Sequence, residues 1–205
     1  DLTFSPANEL LGTSDNGVAF ALLPNVSRPL ARFSTRSNVL SLAWSVPGHR
    51  LLLGGLGDKG LCHLRLIETT CTDRLPLRLG IVRKIALSPD GKLIAVAGTG
   101  GKVEVWDAKQ KLPIGYIDVA IPEVREMLFL KNGTNLLVAG TAAELVMIDV
   151  TGLHVRQTHP LTASVQAMAL LPGTDQVVLG LRSGNVAIWS LVNSRVERQV
   201  TLTKD

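Results

Sequence analysis

Ala86-Leu-Ser-Pro-Asp-Gly-Lys-Leu-Ile-Ala-Val-Ala-Gly98, followed shortly by Val103-Glu-Val-Trp-Asp107, is the stretch whose reading decides the fold. Around it lie four short runs rich in Val, Ile and Leu: Val82–Leu87, Leu93–Ala97, Val103–Trp106 and Leu112–Val119. The segments between them are turn chemistry: Ser-Pro-Asp-Gly at Ser88–Gly91, Gly-Thr-Gly-Gly at Gly98–Gly101, and the polar Asp107–Lys111. Pro presets one backbone angle of a tight turn and Gly supplies the positive φ that a hairpin needs. Runs this short and this β-branched read as strands, and no stretch offers an uninterrupted helical period of useful length.

The same pattern recurs along the chain. The run Val39-Leu-Ser-Leu-Ala-Trp44 aligns with Val82-Arg-Lys-Ile-Ala-Leu87, Val124-Arg-Glu-Met-Leu-Phe129 and Val165-Gln-Ala-Met-Ala-Leu170, the anchoring valines standing 43, 42 and 41 residues apart. A second anchor, Leu61, Val103, Leu145 and Val186, repeats at 42, 42 and 41. A fifth copy precedes these, with Phe4-Ser-Pro-Ala-Asn8 matching Leu87-Ser-Pro-Asp-Gly91 and Val18 taking the second anchor. Four antiparallel strands in a repeat of about 42 residues make the blade of a β-propeller. The expected fold is therefore all-β, one propeller domain over 1–205, with four-stranded blades at about 1–36, 37–79, 80–121, 122–162 and 163–205.

Hydropathy within each repeat points the same way. The second run is almost wholly apolar (Leu51–Leu53, Leu93–Ala97, Leu136–Ala139, Val177–Leu179), as a strand covered on both faces must be. The last run alternates, as in Arg74-Leu-Pro-Leu-Arg-Leu79 and Arg195-Val-Glu-Arg-Gln-Val200, which reads as a half-exposed outer strand. Pro76 suits an edge that needs no ladder hydrogen bond.

Composition excludes several classes of function. Of 205 residues 46% are apolar and 19% charged, with a net charge of +4, far from the dense basic stripe of a nucleic-acid binder. No apolar stretch reaches the length of a membrane span, and no signal segment opens the chain; with the N-terminus uninformative, a cytoplasmic location is the working expectation. Cys62 and Cys71 could bridge a hairpin in an oxidising compartment, but two reduced thiols are the favoured reading. His49, His63, His154 and His159 have no nucleophile or zinc spacing, and the Gly98–Gly101 loop lacks the Lys-Ser/Thr and the helix of a phosphate loop. The carboxylates fall at strand ends (Asp90, Asp107, Asp118, Asp149), so neither a catalytic centre, a metal site nor a cofactor is expected.

Ala86–Gly98 through Val103-Glu-Val-Trp-Asp107, with Val186-Ala-Ile-Trp-Ser190 and Leu145-Val-Met-Ile-Asp149, resembles the WD-repeat family over essentially the whole chain. The repeats are degenerate. None has the Gly-His pair that family blades carry before the first strand, and the turn Asp survives only as Asp15 and Asp58, with Gly100, Ala142 and Ser183 in its place elsewhere. Blade stability is therefore expected to rest mainly on apolar packing. The fourth copy, with Ile148 in place of Trp, is also similar to bacterial Tyr-Val-Thr-Asn-type propeller repeats. Because the family's domains are usually seven-bladed, the resemblance implies that five copies with a clipped first strand are part of a longer ring.

The resemblance further implies a partner-binding face, contacted through three positions per blade. Carried over, the first position is Asn38, Ile81, Glu123 and Ser164, and the second is Leu40, Arg83, Arg125 and Gln166. The third is Ser14, Gly57, Thr99, Thr141 and Arg182. Arg83, Arg125 and Arg182, with Lys84 beside the first, form a candidate patch, since guanidinium groups pair bidentately with carboxylates. Solubilising surface charge is the competing reading. If the patch binds, its ligand is expected to be an acidic protein or peptide segment; nucleic acid is disfavoured because no aromatic stacking set accompanies the charges. The expected function is a non-catalytic interaction scaffold, the alternative being a sensor or targeting module of a larger multidomain protein. An enzyme is the least favoured reading.

Overall fold

The Ser88–Gly91 turn closes as its residues require. Ser88 Oγ donates to Asp90 Oδ1 at 2.6 Å, the Leu93 N–H donates to Ser88 Oγ at 2.9 Å, and Gly91 takes φ 69°. These bonds hold the Asp90 carboxyl below its ordinary pKa, the Ser88 hydroxyl contributing most. The turn joins two strands of a four-stranded antiparallel sheet, and that unit is repeated. The computed structural model describes residues 2–4, 11–15, 18–22, 31–34, 38–45, 50–55, 61–65 and 73–201. Among them there are twenty strands and no helix.

The first sheet contains β1 (Leu2–Phe4), β2 (Leu11–Asp15), β3 (Val18–Leu22) and β4 (Ala31–Ser34), and the second β5 (Val39–Ser45), β6 (Arg50–Gly55), β7 (Leu61–Arg65) and β8 (Asp73–Leu75). The third is built of β9 (Val82–Leu87), β10 (Leu93–Gly98), β11 (Lys102–Asp107) and β12 (Pro113–Asp118). The fourth holds β13 (Val124–Phe129), β14 (Asn135–Gly140), β15 (Glu144–Asp149) and β16 (His154–Pro160). The fifth comprises β17 (Val165–Leu170), β18 (Gln176–Leu181), β19 (Asn185–Ser190) and β20 (Arg195–Thr201). Within every sheet the strands lie in chain order, each paired antiparallel with the next. First strands of successive sheets are mutual neighbours, as in the blades of a propeller.

Successive sheets meet through apolar seams. Leu42, Trp44, Leu51 and Leu53 pack on the first sheet's Ala19, while Ala43, Leu52 and Leu75 face Ile85, Ile94, Val96 and Trp106 of the third. The opposite face of the third sheet, with Ala95, Val103 and Val105, meets Phe129, Leu136, Val138 and Ile148. Leu137, Leu145 and Met147 then meet Val177, Leu179 and Trp189. Two-sided burial of the second run is thus real for β10 and β14, whose last five residues are all buried. In β18 burial alternates instead, because only one face of the fifth sheet is covered among the described residues.

Two expectations need correction. The last run of the second repeat is a strand only to Leu75; Pro76 offers no N–H, and the Leu77 N–H turns back to the Leu75 carbonyl at 2.9 Å. Nor is Cys62 a free thiol: it is buried and disulfide-bonded. Cys71 itself lies outside the described residues, as do His49, Gly57 and Asp58.

Candidate partner-binding site

The first strands of the second to fifth sheets, β5, β9, β13 and β17, each carry a β-bulge just after the anchoring valine. Val39 pairs with Gly55 and Ser41 with Gly54, so Leu40 is the extra residue. By the same skip the extra residues are Arg83 in β9, Arg125 in β13 and Gln166 in β17. These are the four second-position residues, and a bulge re-aims the side chain it carries. Glycine opposite the bulge allows the backbones to approach. A Cβ at Gly55, Gly98 or Gly140 would sit within about 2 Å of the carbonyl oxygen of Asn38, Ile81 or Glu123. The fifth sheet places Leu181 opposite Val165 instead.

The seating of the third sheet against the fourth brings the re-aimed arginines together. Arg83 Nε lies 2.9 Å from Glu123 Oε1, in an ion pair whose N–H is not aligned for a hydrogen bond, and Arg125 Nη2 donates to Glu123 Oε2 at 3.3 Å. One carboxylate thus holds two guanidinium groups, leaving the trio with one net positive charge. All three side chains are partly exposed, at 35%, 21% and 37% for Arg83, Glu123 and Arg125, so the group is anchored yet reachable by a ligand. Lys84 is committed separately: its Nζ sits 3.2 Å from Glu126 Oε2. Burial raises the Glu126 pKa despite the nearby ammonium.

The other expected residues surround this group or stand apart from it. The Thr141 N–H donates to the Glu123 carbonyl at 3.1 Å, and Thr99 forms an isolated bridge with Glu123, so both threonines fix its backbone. Thr141 is exposed. Arg182 and Gln166 are exposed on the fifth sheet, the Arg182 N–H donating to the Ser164 carbonyl at 2.8 Å. Among the described residues no hydrogen bond or ion pair joins either to the Arg83–Glu123–Arg125 group. Asn38 is exposed on the second sheet. Sequence reasoning placed Glu123 as a contact position and missed its clamping role. Its only local signal is Glu123 standing two residues before Arg125, and the partner that makes it a bridge is 40 residues away.

Residues 70–107 match the family described as WD domain, G-beta repeat. That stretch is similar to a single WD repeat. The matched stretch takes β8 from the second sheet and β9, β10 and β11 from the third, closing on Trp106-Asp107; the sequence repeat and the sheet are thus offset by one strand. The chain is also similar to Protein groucho of Drosophila melanogaster, 32% identical over 111 residues, and to Transducin-like enhancer protein 2 of Mus musculus, 32% identical over 111 residues. Each alignment covers 49% of this chain but only 15% and 14%, respectively, of those proteins.

The third sheet, which lacks the Gly-His pair and the turn Asp, holds its tryptophan by a different polar contact. Trp106 Nε1–H donates to Glu104 Oε2 at 3.1 Å, and Glu104 Oε1 accepts the Arg78 N–H at 2.8 Å. Ser41 Oγ accepts the Ile85 N–H at 3.0 Å nearer the first strands. Apolar packing forms the seam, and a buried carboxylate ties the third sheet to the segment that follows β8.

Proposed function

We propose that this chain is a non-catalytic interaction scaffold that receives a carboxylate-bearing protein segment at Arg83 and Arg125. The observation that carries the reading is the bulge-aimed, Glu123-clamped arginine pair. Holding both side chains in place before binding removes part of the ordering cost that flexible arginines would otherwise bring. Lys84 stands beside the pair with its charge taken up by Glu126, Thr141 and Asn38 offer polar contacts on adjacent sheets, and Gln166 and Arg182 extend the surface toward the fifth. The likeness to a WD repeat, to Protein groucho and to Transducin-like enhancer protein 2 favours a protein partner over a small molecule. The same face would serve a targeting module within a larger chain, and the small share of those relatives that the alignment covers favours keeping that alternative.

The test is fluorescence anisotropy with a labelled Asp/Glu-rich peptide. Binding should weaken with added salt and fall by about tenfold or more in the Arg83→Glu, Arg125→Glu double variant. Equal binding by that variant would refute the assignment.

A further inference from the structure

The outer strand of the third sheet departs from its counterparts. Leu112, Ile114 and Tyr116 are exposed at 58%, 45% and 50%. The strand registers identify the equivalent positions in the next two sheets. Tyr116 pairs with Glu104 as Thr158 pairs with Val146 and Gln199 with Ala187. Ile114, Arg156 and Glu197 are the bulge residues of their strands, and Leu112, His154 and Arg195 stand two residues before them. The fourth and fifth sheets thus present His154, Arg156 and Thr158, or Arg195, Glu197 and Gln199, where the third presents three large apolar side chains. The polar sets are ordinary solvated edges, whereas the apolar set exposes to water a surface the fold does not need.

Those three residues line a groove of about 650 Å³ between the third sheet and the segment following β8. Cations surround it: Arg78 on one wall, Lys111 at one end, and Lys102 at the other, its Nζ 4.6 Å from the Tyr116 ring centroid. Among the described residues the lining holds one carboxylate, Glu104, which is buried and taken up by Trp106 and the Arg78 N–H, while Lys102 Nζ also lies 3.8 Å from Asp118 Oδ1. From Leu112 to Tyr116 an extended strand covers about 13 Å, room for four or five residues of an extended peptide. A ligand that fits must bring apolar side chains to the floor and negative charge to the rim.

We propose that this groove is a second docking site, separate from the Arg83–Arg125 face, for an extended segment of another protein in which bulky apolar residues alternate with carboxylates. Apolar contact with Ile114 and Tyr116 supplies affinity, and Arg78 and Lys102 select for acidic flanks. The site lies between sheets at their outer edge, so one partner could occupy it while another holds the arginine face.

A displayed library of unconstrained short peptides, panned on the whole chain, tests the proposal. Enriched sequences should alternate bulky apolar residues with Asp or Glu. Their affinity should fall about tenfold or more in Ile114→Glu and, independently, in Leu112→Ser, both exposed positions whose folding is checked by circular dichroism. Arg78→Glu should weaken binding and flatten its salt dependence, while Arg83→Glu with Arg125→Glu should leave it unchanged. The proposal is overturned if the enriched peptides lack carboxylates, if they bind Ile114→Glu as they bind the parent, or if nothing is enriched. It also falls if sedimentation reveals a concentration-dependent dimer that Ile114→Glu abolishes, which would assign the groove to a second copy of the chain.

Discussion

Trp106 and Trp189 occupy the same place in the third and fifth sheets, each buried against the sheet before it, yet their indole nitrogens meet opposite fates. Trp106 Nε1–H reaches Glu104, two residues earlier on its own strand. The residue two before Trp189 is Ala187, and Trp189 Nε1 is buried with no hydrogen-bond partner. His159 fills the space, its ring 4.6 Å from the indole and tilted by 60°. A repeat fixes where an aromatic sits without fixing how its polar atom is satisfied. The third sheet solves that problem with a carboxylate that also holds the segment following β8, and the fifth leaves it unsolved.

The largest effect should come from removing the shared carboxylate. Glu104→Ala strands two donors at once, the Trp106 indole and the Arg78 amide, and should cost about 2–3 kcal/mol in urea unfolding. A cost below about 0.5 kcal/mol would mean that apolar packing alone holds this seam and would erase the contrast between the two tryptophans. Next in size is a paired substitution. Trp106→Phe and Trp189→Phe remove similar volumes, but only the first leaves a buried carboxylate oxygen unpaired, so it should be worse by about 1–2 kcal/mol. Equal losses would show that the Glu104 contact adds nothing net.

The smallest effect is one of pH. Burial beside Trp189 lowers the His159 pKa below its ordinary 6.5. The unfolded chain therefore binds this proton at higher pH than the folded chain does. The stabilising contribution is complete above about pH 6.5 and declines as pH falls toward the lowered folded value. Thermal unfolding of the parent should weaken across that window, and His159→Gln should remove the dependence. An unchanged pH profile in that variant would show that the fourth–fifth seam tolerates a charged imidazole.

Much of the architecture was legible in the residues. Val82–Leu87 is a strand as read, Leu93–Ala97 needed one residue more, and the Ser-Pro-Asp-Gly turn closes through its own side chains. These features are local, set by β-branched runs and by the φ values that Pro and Gly supply. In the second repeat the alternation of Arg74–Leu79 suggests a longer outer strand than the one that forms, because Pro76 lacks the N–H to extend it. At the candidate site the positions were legible and their arrangement was not. Arg83 and Arg125 look like two surface charges 42 residues apart until the bulges aim them and the sheets set Glu123 between them.

The sequence by itself determined a period of 41–43 residues, its division into four strands, and the glycines that admit a bulge after three of the anchoring valines. Each depends on neighbours within a hairpin, where alternation and turn geometry act over a few residues. Only the tertiary structure decided which charges meet and that Leu112, Ile114 and Tyr116 line an open groove beside Arg78. Those outcomes depend on how one sheet seats against the next, bringing together side chains about one repeat apart that no local pattern relates.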